Sequence, residues 1–240
     1  MHNRKLWLTV VLFATAMAWV ESSVVFYLRT MIDRIEPYQP YPLPVFGGLG
    51  LAELIRELAT LLMLAMVGAL AGKNFKSRFG YFLIAFGVWD ILYYVFLKVL
   101  TGRPRSIGDW DILFLVPLPW WGPVWAPVAI AVLMFLWGTL VTQNESLGFP
   151  GWKICALNIL GGIIALYVFM ADAIQVALIG GSHRRMLPVS FDWPLFLLAL
   201  ILMALPVATS GFQSGKRRVL RQAEEFILGQ NHESSLKTNL

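Results

Sequence analysis

Carboxylates and an arginine lie inside a stretch of sequence that is otherwise apolar, and these side chains are the first candidates for chemistry. Glu53, Arg56 and Glu57 fall within the apolar residues 51–72. Residues three and four positions apart share one face of a helix, so these side chains and Thr60 form a single polar strip. Ionised groups at membrane depth are costly and usually face a bundle interior or a wet cavity. The strip therefore predicts a polar site inside a helix bundle.

Two more acids lie within other apolar stretches. Glu21 belongs to residues 6–28, and Asp90 belongs to residues 79–100 together with Tyr94. A helix rises about 1.5 Å per residue, which puts Glu21, Glu57 and Asp90 about 9–12 Å from the same end of their helices. The sequence therefore predicts one layer of carboxylates. The aromatic residues near this layer fit an interfacial belt better than a substrate platform.

The connection after residue 100 adds a second group of charges, and this group consists of Arg103, Arg105, Asp109 and Asp111. An unpaired carboxylate in apolar surroundings tends to hold its proton, whereas a carboxylate beside an arginine such as Arg29 stays ionised. The charged layer is therefore either a set of ion pairs that fixes the helices in register or a functional pocket. The residues leave both interpretations open.

Several chemistries lack their residues. The chain has three histidines, and only His183 lies away from the termini, while Cys155 is the single cysteine. This composition predicts no zinc site of the usual histidine and cysteine type and no internal disulfide. Carboxylates prefer magnesium, manganese or calcium, but no spacing here assigns a metal site. The sequence has no glycine-rich phosphate loop and no G-x-S-x-G elbow, and it indicates no cofactor.

Composition defines the elements that must position these residues. The 240 residues are 58% hydrophobic and 14% charged, with a mean hydropathy of +0.68. A soluble domain carries roughly a quarter charged residues, so the chain is predicted to be an all-α integral membrane bundle in a lipid bilayer. The net charge of +5 does not indicate a nucleic-acid partner, because the basic residues lie in short loops and the tail.

Six stretches are long and apolar enough to span a bilayer as helices. They cover about residues 6–28, 51–72, 79–100, 122–141, 152–171 and 191–210. The first stretch is predicted to be an uncleaved helix rather than a signal peptide, because its apolar run resumes after Glu21. Prolines at 117, 119 and 123 argue against one helix between the third and fourth spans. Residues 112–119 are therefore predicted to form an interfacial or re-entrant segment rich in proline and tryptophan.

The loops and the tail predict the orientation. Residues 1–212 are predicted to form a single transmembrane bundle, and residues 213–240 a basic tail that is partly an amphipathic helix and then disordered. The bias of basic residues towards the turn 73–78 and the tail puts both termini in the cytoplasm. The carboxylate layer then lies in the extracytoplasmic half.

Four runs of residues together resemble an uncharacterised family of bacterial multi-pass membrane proteins. The runs are residues 19–29, 53–57, 86–94 and 109–122, and the resemblance covers roughly residues 19–130. It implies a bacterial cytoplasmic (inner) membrane location. The family has no known activity, so the resemblance implies no catalytic residue.

A proton- or cation-linked small-molecule binding or transport protein is the first functional hypothesis. An outward pocket would bind a small molecule or cation, and protonation of one acid would respond to a charged ligand next to it. Its predicted ligand or proton sites are Glu21, Glu53, Glu57, Asp90 and Tyr94, with Arg56 as counter-charge.

An enzyme acting on a lipid or isoprenoid head group is the second hypothesis. Asp90, Asp109 and Asp111 would bind a metal or transfer protons, and Arg103 and Arg105 would meet an anionic head group. The third hypothesis is a structural or accessory subunit of a membrane complex or oligomer, in which the charges only hold helices. A cavity at the acids separates the first two hypotheses from the third.

Overall fold

Six helices organise the chain in the computed structural model, which describes residues 2–37, 48–144, 146–179, 190–213 and 215. In this part of the chain all six are long and apolar enough to cross a membrane, which confirms the predicted helical membrane bundle. They are α1 (His2–Met31), α2 (Gly48–Ala71), α3 (Phe75–Thr101), α4 (Trp125–Gln143), α5 (Trp152–Ile179) and α6 (Trp193–Gln213). His183 and the predicted tail beyond residue 215 lie outside the described residues.

Helix α3 is the central element, because it packs against α1, α2 and α4. A capping box begins the helix: the Ser77 N–H donates to the Asn74 side chain at 3.0 Å, and the Asn74 N–H donates to the Ser77 hydroxyl at 3.1 Å. These bonds satisfy donors that the first helical turn leaves open. The helix ends at Gly102, whose φ of 71° is a left-handed conformation that glycine adopts without a Cβ clash.

Glycines bring the backbones of α3 and α4 together. A Cβ at Gly138 would lie 2.5 Å from the Gly80 carbonyl oxygen, and a Cβ at Gly87 would lie 2.6 Å from the Ala131 carbonyl oxygen. Small residues allow such close helix packing in a membrane, where lipid is as apolar as a leucine side chain. We call this close contact between α3 and α4, at Gly80, Gly87 and Gly138, the α3–α4 seam.

Helices α5 and α6 pack through small residues, rings and single hydrogen bonds. A Cβ at Gly161 would lie 2.8 Å from the Ala199 carbonyl oxygen. The Asn158 side-chain amide donates to the Met203 carbonyl oxygen at 3.1 Å. The Phe196 ring is fully buried in the apolar cluster between these helices and the N-terminal end of α4. This half of the bundle is held mainly by shape.

An antiparallel hairpin fills the connection between α3 and α4. Strand β1 (Trp110–Phe114) pairs with β2 (Trp120–Pro123), and Asp111 lies opposite Gly122. The prolines predicted an interfacial or re-entrant segment here instead of a helix, and the strands were not predicted. The fourth helix also begins at Trp125 rather than at residue 122, because residues 120–123 belong to β2. We call the end of the bundle that carries this hairpin the hairpin side.

Candidate functional site

A cavity of about 370 Å³ lies on the hairpin side between α1, α2, α3 and β1. Much of its wall is apolar and includes Val25, Leu28 and Leu54. Its charged lining residues are Glu21, Arg29, Arg34, Glu53, Arg56, Glu57 and Asp90. Five of the ten residues predicted as ligand or proton sites therefore line one cavity.

A three-way ion pair joins α1 to α2 at this cavity. The Arg56 guanidinium donates to Glu21 of α1 and to Glu53 one turn away on α2, with 2.9 Å between Arg56 Nε and Glu53 Oε1. The Thr60 hydroxyl donates to Glu21 Oε2 at 3.3 Å. The polar strip predicted on α2 thus meets the one acid of α1 that shares its depth.

Glu57 connects α2 to the hairpin. Its Oε2 atom accepts a hydrogen bond from the backbone N–H of Leu115 at 2.9 Å, and the residue is only 6% exposed. Among the described residues, no basic side chain forms an ion pair with Glu57. The carboxylate is therefore held in place by a neutral donor.

Asp90 and the adjacent Trp89 contribute two polar atoms without partners. Asp90 Oδ2 and Trp89 Nε1 are both buried, and neither has a hydrogen-bond partner among the described residues. Both residues line the cavity. Tyr94 is buried next to them but is not among the lining residues, whereas Tyr93 is. One residue along a helix turns the side chain by about 100°, which separates the two tyrosines.

A buried ion pair ties the hairpin to α1. The Arg29 guanidinium donates to Asp111 Oδ1 at 2.6 Å, and their side chains are 9% and 4% exposed. The Ile112 N–H also donates to this carboxylate at 2.8 Å. Burial raises the pKa of Asp111, and the neighbouring Arg29 charge opposes that rise. Arg29, predicted only as a counter-charge, therefore positions the hairpin over the cavity.

The remaining predicted residues line a neighbouring cavity of about 360 Å³, which also includes Asp111 and Arg29. There Arg103 donates to Glu36 at 2.8 Å. Asp109 accepts hydrogen bonds from the Ser106 hydroxyl and the Arg105 backbone N–H, each at 2.7 Å. Slight burial raises the pKa of Asp109, but these hydrogen bonds outweigh it and the pKa is lowered.

The enzyme hypothesis names Asp90, Asp109 and Asp111 as possible metal ligands, and the structure places them in two different cavities. Asp90 lines the first cavity, whereas Asp109 and Asp111 line the second. In the described part of the chain, no group of three or more histidine, cysteine, aspartate or glutamate residues is placed to hold a metal ion. The three aspartates therefore do not form one site.

Three polar or aromatic residues of the cavity wall, Arg34, Trp89 and Tyr93, were not among the predicted site residues. Arg34 is 5% exposed and its guanidinium donates to the Pro37 carbonyl oxygen at 3.0 Å, although it lies beyond the predicted first span. Trp89 and Tyr93 were assigned to an interfacial belt. Their spacing was the available signal: Trp89 and Tyr93 are four positions apart and Asp90 and Tyr93 are three, and such positions share one face of a helix.

The fold and the cavity define the class as a multi-pass membrane protein. Comparison with family models, with curated proteins and with solved structures found no match. The bacterial family that the four runs resemble, the inner-membrane location and the orientation therefore stay predictions.

Proposed function

We propose that the protein binds a small molecule in the cavity between α1, α2, α3 and β1, and that binding is linked to protonation or cation occupancy of the acids there. The cavity, of about 370 Å³, is the observation that carries this proposal. Sites for small organic ligands have volumes of roughly 300–1,000 Å³, with apolar walls and a few polar groups. Charged residues that only held helices together would need no such space.

Unequal pairing of the charges supports the linkage to protons. Arg56 is paired with two carboxylates, and Arg29 is paired with Asp111. Glu57 and Asp90 have no ion pair among the described residues. A charged ligand beside an unpaired carboxylate changes how firmly it holds a proton.

A third cavity supports transport as an extension of binding. It has a volume of about 300 Å³ and lies at the opposite end of α1, α2 and α3, where Leu6 and Ala71 line it. Buried Ala14, Ala18 and Leu64 lie between the two ends along these helices. A carrier needs a route to each side of the membrane, and alternating access opens one route at a time. This cavity supplies the start of a route on the side opposite the hairpin. The hairpin side is extracytoplasmic in this proposal, because the opposite α2–α3 turn is basic.

The hairpin favours one second candidate, an enzyme acting on a lipid or isoprenoid head group. The hairpin covers the acids through the Leu115–Glu57 hydrogen bond and the Arg29–Asp111 pair. Glu57 or Asp90 would then act as a general acid or base. Mass spectrometry of the surrounding lipid separates the candidates, because an enzyme changes the mass of its substrate and a binding protein does not.

Cavity-filling variants test the proposed binding. Leu54 lines the cavity, whereas its neighbour Ile55 is 58% exposed on the outside of α2. The test compares the wild-type protein with Leu54→Trp and Ile55→Trp, each titrated in lipid nanodiscs with water-soluble fragments. Every apolar fragment is supplied in three forms, which carry an ammonium, an alcohol or a carboxylate group. We expect at least one fragment to bind saturably to wild type and to Ile55→Trp. Its affinity for Leu54→Trp should be lower by tenfold or more. Equal binding to all three proteins, or binding to none, contradicts the proposal.

The proton linkage has its own measurement. Binding heats in buffers of different ionisation enthalpy give the number of protons exchanged per ligand. We expect proton exchange in wild type and none in the Glu57→Gln/Asp90→Asn protein, which should still be folded in detergent. If both single variants lose their fold, the acids are structural.

A further inference from the structure

We propose that the ligand of this cavity is an organic cation, a protonated amine on an apolar body, whose ammonium group lies between Asp90 and Glu57. The inference rests on the binding function proposed above and adds the chemical class of the ligand. It is carried by the charge balance of the wall, by the unpartnered polar atoms and by the aromatic rings beside them.

The charge balance of the cavity wall is negative. Its arginines already have protein acceptors: Arg56 is held by two carboxylates, Arg29 by Asp111 and Arg34 by the Pro37 carbonyl oxygen. The acids that line the cavity are Glu21, Glu53, Glu57 and Asp90, and Asp111 pairs with Arg29 from outside this lining. Of these four, Glu57 and Asp90 have no basic partner among the described residues, and a cation beside them favours their ionised form. The wall therefore favours a ligand with positive charge and disfavours an anion.

Unpartnered atoms locate the charged group of the ligand. Trp89 is only 5% exposed, and its Nε1 atom and the Oδ2 atom of Asp90 lack hydrogen-bond partners among the described residues. Buried polar atoms are rarely left unpaired in folded proteins. An ammonium group donates to Asp90, and an oxygen atom of the ligand accepts from Trp89. Glu57 of α2 lines the same cavity and is the second carboxylate of the proposed site.

Aromatic rings complete the cation site. The Trp89 and Tyr93 rings both belong to the cavity wall, with centroids 6.4 Å apart. The face of an aromatic ring attracts an ammonium group. Val25, Leu28 and Leu54 offer an apolar surface for the rest of the ligand.

Size favours an organic cation over a metal ion. A bare metal ion needs a close cage of several oxygen ligands. In the described ranges no three metal-ligating side chains are grouped in that way. A cavity of about 370 Å³ instead matches a small organic molecule.

The matched fragments test the ligand class directly on the wild-type protein in nanodiscs at neutral pH. One such set is 2-phenoxyethylammonium, 2-phenoxyethanol and 3-phenoxypropionate, which share an ether oxygen that can accept from Trp89. We expect the ammonium compound to bind at least tenfold more tightly than the alcohol, and the carboxylate to bind more weakly than either. Asp90→Asn should lower ammonium affinity by tenfold or more and leave the alcohol unchanged. Asp172→Asn is the matched control, because Asp172 is a carboxylate on α5 that is not among the cavity-lining residues.

The outcomes separate this inference from the proposed function. If an alcohol or carboxylate binds as tightly as its ammonium partner, and binding is still lost in Leu54→Trp, the cation class is wrong and the binding function stands. Binding of no compound overturns both. The charge ranking on wild type needs no variant, so it stays decisive if Asp90→Asn fails to fold, and Glu57→Gln then serves as the second test of selective loss.

Discussion

Helices α1 and α2 meet through charged side chains, whereas α5 and α6 meet through small residues and rings. Arg56 reaches from α2 to Glu21 of α1, and the space beside this bridge is the cavity. Between α5 and α6, Gly161 brings the backbones together, and Asn158 makes a single hydrogen bond to the Met203 carbonyl oxygen. Long ionic side chains keep helices apart and leave space beside them, while small residues close that space. The difference fits the proposed function, in which the first half binds a ligand and the second half supports it.

The tight α3–α4 seam joins the two halves. α3 carries Asp90 on the cavity side and Gly80 and Gly87 on the seam with α4. The same helix therefore presents its polar side to the site and its smallest residues to the scaffold. Disrupting each contact in turn tests whether the halves differ in the way the structure indicates.

Loss of the Arg56 bridge should have the largest effect on stability. Arg56→Met leaves two partly buried carboxylates, Glu21 and Glu53, without their cation. Loss of one partner of a fully buried pair costs about 3–5 kcal/mol, and here two carboxylates lose their partner at once. Unfolding in mixed micelles with SDS measures the free energy. Arg103→Met is the control, because its partner Glu36 is 41% exposed and such surface pairs contribute about 0–1 kcal/mol. Equal losses in the two variants would show that the charges of the cavity wall are no more important than surface ones.

Release of the hairpin should have the second-largest effect on the free energy of unfolding. Asp111→Asn removes the counter-ion of the buried Arg29 charge but keeps an amide oxygen that can accept from the guanidinium, so the expected cost is about 2–3 kcal/mol. Hydrogen–deuterium exchange should rise in residues 110–123 and stay unchanged in α5 and α6. The double variant Arg29→Met/Asp111→Leu should recover most of the stability, because replacing both partners of a buried pair is close to neutral. No recovery would mean that the pair is not what holds the hairpin.

Overpacking of the α3–α4 seam should have an intermediate effect. Gly138→Ala puts a Cβ 2.5 Å from the Gly80 carbonyl oxygen, and such overpacking costs about 1–3 kcal/mol. Gly162→Ala makes the same substitution in α5, where a Cβ meets no atom of the described structure within 4 Å. Thermal unfolding of the two proteins checks the difference, and a loss in Gly162→Ala as large as that in Gly138→Ala would count against the seam.

Removal of the polar contact between α5 and α6 should have the smallest effect. Asn158→Leu deletes one hydrogen bond, and such bonds between membrane helices contribute about 0.6 kcal/mol on average. The same unfolding assay in mixed micelles measures the change. A loss comparable to that of Arg56→Met would remove the contrast between the two halves.

Local patterns predicted the parts of this fold that depend on neighbours in the chain. Long apolar stretches predicted the helices, and the spacing of Glu53 and Arg56 predicted their shared face. The hairpin was not predicted, because residues 115–119 contain Pro117 and Pro119 rather than a short turn signature such as Asn-Gly. Its strands also depend on Glu57 and Arg29, which are distant in the sequence.

The sequence by itself determined the membrane class, the number of spans and the presence of acids at a similar depth, because composition and helical rise are properties of the chain. The tertiary structure decided which charges meet. The rotation of each helix paired Glu21 with Arg56 and Arg29 with Asp111, and it separated Asp109 from Asp90. These pairings depend on how distant parts of the chain pack together: Arg29 and Asp111, for example, are 82 positions apart in the sequence.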